Sequence, residues 1–523
     1  MVGWKQFCAA CVLVLSGMVG ETTLADDQPP NIVMIFCDDL TNQALSCYGH
    51  PLKLLETPNI DRLAQEGMLF RRCLVPNSIC GPSRAAILTG KYAHVNGFVR
   101  NGNKFDGSQP TFPKMLQAAG YQTAMIGKWH LATDPTGFDH WHILPGQGAY
   151  YNPAMIRDGE KVTHVGYTTD LISEFSIDWL KQRNPDKPFL LMSQHKAPHR
   201  NWSPALRHLG WNNDQKFPEP PTLFDDYSGR GKPEREQEMT LAHSFQPKDV
   251  KLAPEKGLNA EQRQAWDQYY APRNEAFLEK NLSGKDLVRW RYQRYMHDYL
   301  ACVKAVDEAV GDMLRYLDEA GLTENTLVVF SSDQGFYLGE HGWFDKRWIY
   351  EESVTTPLIV RWPHQTKPGS ESTELVSILD FPETFLEAAD LPVPDDMHGH
   401  SLTPLFSGQV PANWRKSFYY HYYEHPGAHN VARHYGVVTD RYKLFHFYEP
   451  EFDSWRLIDR KNDPHELNNA YDSPELADVR KTLHKELDRL RTELNVPLED
   501  PASSFKSPRD ARRKKPVPEG AGA

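Results

Sequence analysis

The chain has 523 residues, 40% of them hydrophobic, 24% charged and 11% aromatic. This is an ordinary globular composition, long enough for one large α/β domain with an appendage or for two domains, and disorder is excluded as the default reading. The 58 Lys and Arg against 69 Asp and Glu leave a net charge of −11, which argues against a general nucleic-acid binder yet permits a local basic pocket for an anion.

The N-terminus reads as a secretory signal peptide over 1–25. Lys5 is its positive flank, 7–19 is an apolar run too short to span a bilayer, and Thr23-Leu24-Ala25 places cleavage before Asp26. An exported protein, secreted or periplasmic and without a membrane span, is therefore expected. Cys8 and Cys11 leave with the peptide. Cys37, Cys47, Cys73, Cys80 and Cys302 remain, an odd number for an exported chain, so one should do something other than pair. Cys37 and Cys302 lie in apolar stretches and read as small buried side chains.

The first strand is expected at 31–36, a continuous β-prone apolar run. Similar runs follow at 122–126, 189–192, 326–330 and 357–360. Helical patterns alternate with them at 59–67, 173–181 and 286–320; the last carries Tyr295, Tyr299, Cys302, Val306, Val310, Leu314 and Leu317 on one face and stops at Gly321. Strands buried on both faces, alternating with helices, predict a large mixed, mostly parallel sheet sandwiched by helices over 26–400. Residues 202–284 are polar and rich in Pro, Gly and charge. They read as a long insertion, either beside the mouth of the site or as a surface excursion. From 401 to 500, short strands at 419–420, 435–439, 442–447 and 455–458 and a helix at 476–494 predict a smaller α+β subdomain with a short antiparallel sheet. The basic stretch 501–523 reads as a solvated tail.

Asp38-Asp39 directly follows the first strand, where ligands of α/β sheets bind, and two adjacent carboxylates repel unless they share a cation. Alone, such a pair equally suits an N-cap or a loop. Ser331-Ser332-Asp333-Gln334-Gly335 repeats the arrangement after 326–330. Three carboxylates and one amide oxygen suit a hard divalent cation rather than zinc, and flexible oxygen ligation favours Ca²⁺ over Mg²⁺.

Cys80-Gly81-Pro82-Ser83-Arg84, followed by Leu88-Thr89-Gly90, is the strongest signal. It resembles the recognition element of type I sulfatases, in the alkaline-phosphatase-like superfamily. Gly127-Lys128-Trp129-His130, Gly137-Phe138-Asp139, His195-Lys196-Ala197-Pro198-His199 and Lys346 match further segments of that family, in order and each past a predicted strand. The resemblance implies that a formylglycine-generating enzyme oxidises Cys80 to Cα-formylglycine. It also implies one Ca²⁺ on Asp38, Asp39, Asp333 and Gln334, with the residue-80 side chain beside it. Arg84, Lys128 and Lys346 would hold the sulfate. His130, beside residue 80, would regenerate the aldehyde; His199, facing the mouth, or Lys346 would protonate the leaving oxygen.

Stretches 195–202, 344–353 and 435–445 resemble sulfatases of carbohydrates, above all the N-acetylglucosamine-6-sulfatases of glycosaminoglycan breakdown, with iduronate-2-sulfatases next. The segment 419–435 is rich in His, Glu, Arg and Tyr. It offers Glu424, Arg433 and His434, together with His195, as sugar contacts, or else is a plain loop of the subdomain. A phosphodiesterase or phosphonate hydrolase on the same scaffold is the alternative chemistry. A non-enzymatic sugar-binding relative is the alternative class, and the intact Cys80, Arg84, Lys128, His130, His199 and Lys346 speak against it.

Overall fold

The computed structural model describes Met1 and residues 29–213 and 215–501. The expected signal peptide, with Cys8 and Cys11, and the basic tail lie outside the described residues apart from Met1 and Pro501.

Eleven strands make the large sheet: β1 (Asn31–Cys37), β2 (Met68–Leu74), β3 (Gln122–Lys128), β4 (His140–Leu144), β5 (Ala154–Arg157), β6 (Glu160–Thr163), β7 (Phe189–Gln194), β8 (Thr326–Ser332), β9 (Thr355–Arg361), β10 (Ser370–Ser372) and β11 (Val376–Ser377). Their order is β10-β2-β9-β8-β1-β7-β3-β4-β5-β6, with β11 also on β2. β1 is buried at all seven positions between parallel β7 and β8, which is why it reads as an unbroken apolar run. Antiparallel pairing is confined to β9 with β2 and β8, and to β5 with β4 and β6.

The helices that matter for the site are α1 (Pro58–Glu66), α2 (Cys80–Thr89), α3 (Thr168–Gln182), α4 (Ala260–Lys280), α5 (Gly284–Glu319), α6 (Asp380–Ala388) and α7 (Ala477–Glu493). Alternate residues of β1 feed two cores. Val33 and Ile35 pack with Leu63 of α1, Ile172 of α3 and Val306 of α5. Ile32, Met34 and Phe36 pack with Ala85 of α2 and Phe385 of α6.

Stretch 202–284 is no loose excursion. It buries Trp202, Leu241, Phe245, Trp266 and Tyr270, and carries the 21-residue α4. Leu241 N donates to Gly342 O (2.9 Å), Phe344 N to Met239 O (3.0 Å) and Glu238 N to His429 O (2.6 Å). The stretch thus lies between the loop before Lys346 and the C-terminal segment.

β12 (Ser417–Tyr422), β13 (His434–Thr439), β14 (Tyr442–Phe447) and β15 (Ser454–Asp459) form the antiparallel C-terminal sheet, with α7 packed on it. Phe418, Val437 and Leu444 share one continuous core with Phe36 of the main sheet and Trp348 of the β8–β9 connection. Among the described residues no helix is long and apolar enough to cross a membrane.

Candidate active site

Four neighbouring strands, β8-β1-β7-β3, run parallel, so their carboxyl ends open on one edge. Asp38-Asp39 leaves β1, Asp333-Gln334 leaves β8, Lys128 ends β3 and His195-Lys196 follows β7. Gly127 makes this crowding possible. Its φ is +109°, and a Cβ there would lie 1.9 Å from the Gln194 carbonyl oxygen, so only glycine fits between β3 and β7. Cys80 opens α2, a helix buried at all ten positions.

Asp38, Asp39 and Asp333 present carboxylate oxygens within 4.8 Å of one another, and Asp38, Cys80 and His199 form a second such group. Cations interleave with them. Lys128 Nζ contacts Asp38 and donates to Gln147 Oε1 (2.6 Å). Lys346 Nζ donates to Asp39 Oδ1 (2.5 Å), which also accepts from Gln334 Nε2 (2.6 Å). Arg84 donates to Asp333 Oδ2 (3.0 and 3.2 Å), to the Lys128 carbonyl (2.7 Å) and to Gln194 Oε1.

Three buried oxygens of this acidic cluster have no hydrogen-bond partner among the described residues: Asp38 Oδ1, Asp39 Oδ2 and Gln334 Oε1. Orphaned buried acceptors are costly. Their convergence on hard oxygen donors fits a divalent cation, so these acidic residues could hold a metal ion. Burial and the neighbouring Asp38 push the Asp333 carboxyl up to about 8, and burial pushes Asp39 up to about 6. Burial opposes ionisation of Asp38 too, but Lys128 and then Arg84 outweigh it and hold that carboxyl well below the usual range. Burial pushes the Cys80 thiol up to about 12.

Both expected catalytic histidines are neutral, depressed first by burial and then by Lys128. His130 is in the left-handed region (φ +59°), with Nδ1 unpartnered. His199 donates from Nδ1 to the Arg200 carbonyl (2.7 Å), so its Nε2, 3.7 Å from Asp39 Oδ2, carries the lone pair. It therefore sits among Asp38, Asp39 and Cys80, and in this tautomer it accepts rather than donates.

The residues expected to touch sugar divide. Glu424 borders the site, 3.9 Å from Arg347 and accepting from Asn101 N (3.2 Å). His195 is fully buried beneath it, its imidazole pushed down to about 4 by burial. His434 is not available to a substrate. Its Nδ1 donates to the Ala432 carbonyl, its Nε2 accepts from Ile349 N, and the ring packs between Trp348 and Tyr420. Arg433 is occupied by Glu449 (2.5 Å) and Asp500 (2.6 Å). Unforeseen neighbours of the site are Gln147, Gln194, Asp345, Arg347 and His429. Asp345 is buried between Arg347 (3.4 Å) and His429 (3.2 Å). Asp345 and Arg347 fall in the stretch 344–353 and His429 in 419–435, both signalled by the sequence though not residue by residue; Gln147 and Gln194 belong to no recognisable local pattern.

Comparison with known proteins bears on this geometry. A sulfatase family profile matches residues 30–391, and one described as "N-sulphoglucosamine sulphohydrolase, C-terminal" matches 339–493. The chain belongs to the sulfatase family. This sulfatase is 48% identical, over 92% of its length and 90% of the relative's, to an N-acetylglucosamine-6-O-sulfatase of Bacteroides thetaiotaomicron. It is 27% identical, over 78% and 70% of the two chains, to the N-acetylglucosamine-6-sulfatase of Homo sapiens. A solved structure in complex with its substrate D-glucosamine-2-N,6-O-disulfate superposes with a TM-score of 0.89 at 48% identity, covering 91% of the sulfatase and all of that chain. The phosphonate monoester hydrolase of Agrobacterium radiobacter shares the fold alone (TM-score 0.63, 21% identity, 89% and 96% of the two chains). The enzyme is a sulfuric ester hydrolase acting on sulfated carbohydrates.

Proposed function

We propose that this sulfatase removes the 6-sulfate of N-acetylglucosamine units, as an exported enzyme that carries one Ca²⁺ and a formylglycine at position 80. The observation that carries the substrate is the likeness to a named N-acetylglucosamine-6-O-sulfatase, 48% identical over 92% of the chain. The three orphaned buried oxygens support a hard cation, and the oxygen-only donor set of Asp38, Asp39, Asp333 and Gln334 supports Ca²⁺. A thiol pushed up to about 12 supplies almost no thiolate at neutral pH, which supports a modified residue rather than bare cysteine chemistry.

Bound there, Ca²⁺ would polarise the sulfate oxygens. As a hydrate, formylglycine would offer two hydroxyls on one carbon, one to attack sulfur and one to release sulfate. The protein's own groups do the rest. Lys128 on Asp38 and Lys346 on Asp39 flank the carboxylates with fixed positive charge, and Arg84 is locked by three partners behind Asp333. His130 and His199 both offer lone pairs. His199 must first take up a proton before it can give one to the leaving oxygen. Lys346 is the other donor: burial disfavours its charge, but Asp39 and Asp345 outweigh burial and keep the ammonium. Asp345, Arg347, His429 and Glu424 form a linked polar rim beside Lys346, suited to sugar hydroxyls.

Sulfate release from N-acetylglucosamine 6-sulfate and 2-sulfated iduronate, compared with alcohol release from a phosphonate monoester and run alongside peptide mass analysis at position 80, tests the reading. Preference for the first substrate and an aldehyde at residue 80 are expected. Preference for either other substrate, or an active preparation with an intact Cys80 thiol, would overturn it. Export rests on residues 1–25, and N-terminal sequencing of the mature protein should begin at Asp26.

A further inference from the structure

A groove of about 410 Å³ lies where residues 212–213 and 215–219 meet α4 and the N-terminal part of α5. None of the reaction-site residues lines it. Among the described residues five cations do, Lys216, Arg273, Lys280, Arg289 and Arg294, against one carboxylate, Glu219. In a chain of net charge −11 this is a local reversal of sign. Arg289 is tied to Glu219 (3.2 Å) and Asp286 (3.3 Å). Lys216, Arg273, Lys280 and Arg294 make no ion pair among the described residues. Aromatic rings lie between the charges. The Arg273 guanidinium stacks 3.8 Å above Tyr269, and Arg294 lies over Trp290 (5.2 Å), whose indole stacks on Phe277 (3.6 Å). Arg294 is aimed by hydrogen bonds to the Val250 carbonyl (3.1 Å) and Asn274 Oδ1 (3.2 Å).

We propose that this groove binds a second stretch of a sulfated polysaccharide, remote from the bond being hydrolysed. The inference rests on the reading that the substrate is a sulfated sugar. Unpaired cations suit sulfate groups, and the rings of Tyr269 and Trp290 hold the Arg273 and Arg294 guanidiniums in place to meet them. The place in the fold fits. Tyr299 of α5 donates to the Asp39 carbonyl (2.7 Å), while His297 of the groove faces the other way, about 200° round the same helix. One helix about 10–12 Å across thus separates groove from reaction site. Only an oligosaccharide could engage both, and the second contact would raise the effective concentration of chain ends at the first.

The test uses a heparin-derived oligosaccharide on full-length Cys80→Ala protein, which binds the chain without consuming it. Lys216→Glu/Arg273→Glu/Lys280→Glu should weaken binding about tenfold or more at low salt, ~1.4 kcal/mol. In the active enzyme the same triple change should leave kcat/KM on N-acetylglucosamine 6-sulfate within about twofold. All three residues are exposed. If the triple variant still fails to fold, Lys216→Gln/Lys280→Gln reads the same loss in smaller measure. Unchanged oligosaccharide binding in the variants overturns the proposal. So does equally tight binding of a DNA oligonucleotide of matched charge, which would make the groove a nucleic-acid site. Failure of the underlying substrate reading looks different: the unaltered enzyme would then release no sulfate from the monosaccharide.

Discussion

His199 illustrates how much chemistry rests on one proton. Its Nδ1–H is committed to the Arg200 carbonyl, so Nε2 must collect a proton before it can protonate a departing sugar oxygen. Aryl leaving groups need no such help. His199→Ala should therefore lower kcat/KM on a sugar sulfate by about 100-fold or more and on an activated aryl sulfate by less than about tenfold. Equal losses on both would show that His199 only shapes the site. The acidic cluster makes a separate prediction. Burial and mutual repulsion hold Asp39 at about 6 and Asp333 at about 8, and a shared cation relieves that repulsion. Chelation should lower the thermal unfolding temperature as well as activity, and Ca²⁺ should restore both. At a hundredfold excess over Kd the cation contributes about 2.7 kcal/mol. An unfolding temperature indifferent to chelator would remove the cation from this cluster. The pattern of these residues was readable along the chain because each follows a strand end. Their partners were not: Gln147 meets Lys128 and Gln194 meets Arg84 only after the strands are laid side by side.

Among the elements, β3 has the least tolerance. Gly127→Ala would place a methyl against the Gln194 carbonyl in a backbone that L-residues avoid, and a strained backbone of this kind costs on the order of 1–3 kcal/mol before the clash is counted. Loss of activity together with a lowered unfolding temperature is expected, because Lys128 is the next residue. An active variant of wild-type stability would mean that β3 and β7 can part. Glu383 on α6 gives a pH signature. Burial, then Asp380, raises its carboxyl to about 8 from an ordinary 4.5, and Oε2 has no partner. The folded protein holds this proton where the unfolded chain has lost it. Stability attributable to Glu383 is therefore greatest below pH 4.5 and falls as pH rises towards 8. Glu383→Gln should gain on the wild type by on the order of 1–3 kcal/mol between pH 5 and pH 8 in paired unfolding curves. Curves that stay parallel would contradict the shift. Central strands declared themselves as apolar runs, whereas β2 was hidden by Arg71 and Arg72 and the irregularity between Phe70 and Cys73. α2 was hidden because burial on every side leaves a helix no polar face to betray its period. α4 was masked by the Pro- and charge-rich stretch around it.

At the scale of the molecule, the smaller subdomain expected from 401 to 500 shares its core with the main sheet. Phe36, Trp348, Phe418 and Leu444 belong to one cluster, and Lys443 of the small sheet is buried against Glu466 (2.7 Å) and Glu351 (3.0 Å). Calorimetry of the intact chain should give a single transition, and a chain ending at residue 400 should fail to fold. Two separated transitions, or a soluble cooperative truncation, would establish two independent units. The composition change after residue 400 was visible because the strands become short and aromatic. The shared core was not visible, because burial between two sheets leaves no periodic trace in either.

The central pairing of β1 with β8 joins residues 31–37 to 326–332, and Cys80 lies inside that span. At synthesis rates of ~5–20 residues per second, the chain between Cys80 and β8 takes roughly a quarter of a minute to a minute to emerge. Throughout that interval β1 has no β8 to pair with, and the side chain that ends 1% exposed is not yet enclosed by the finished sheet. Assembly of the large sheet would thus set a deadline for the oxidation proposed at position 80, and a variant that closes β1 onto β8 sooner would gain folding speed at the expense of maturation yield.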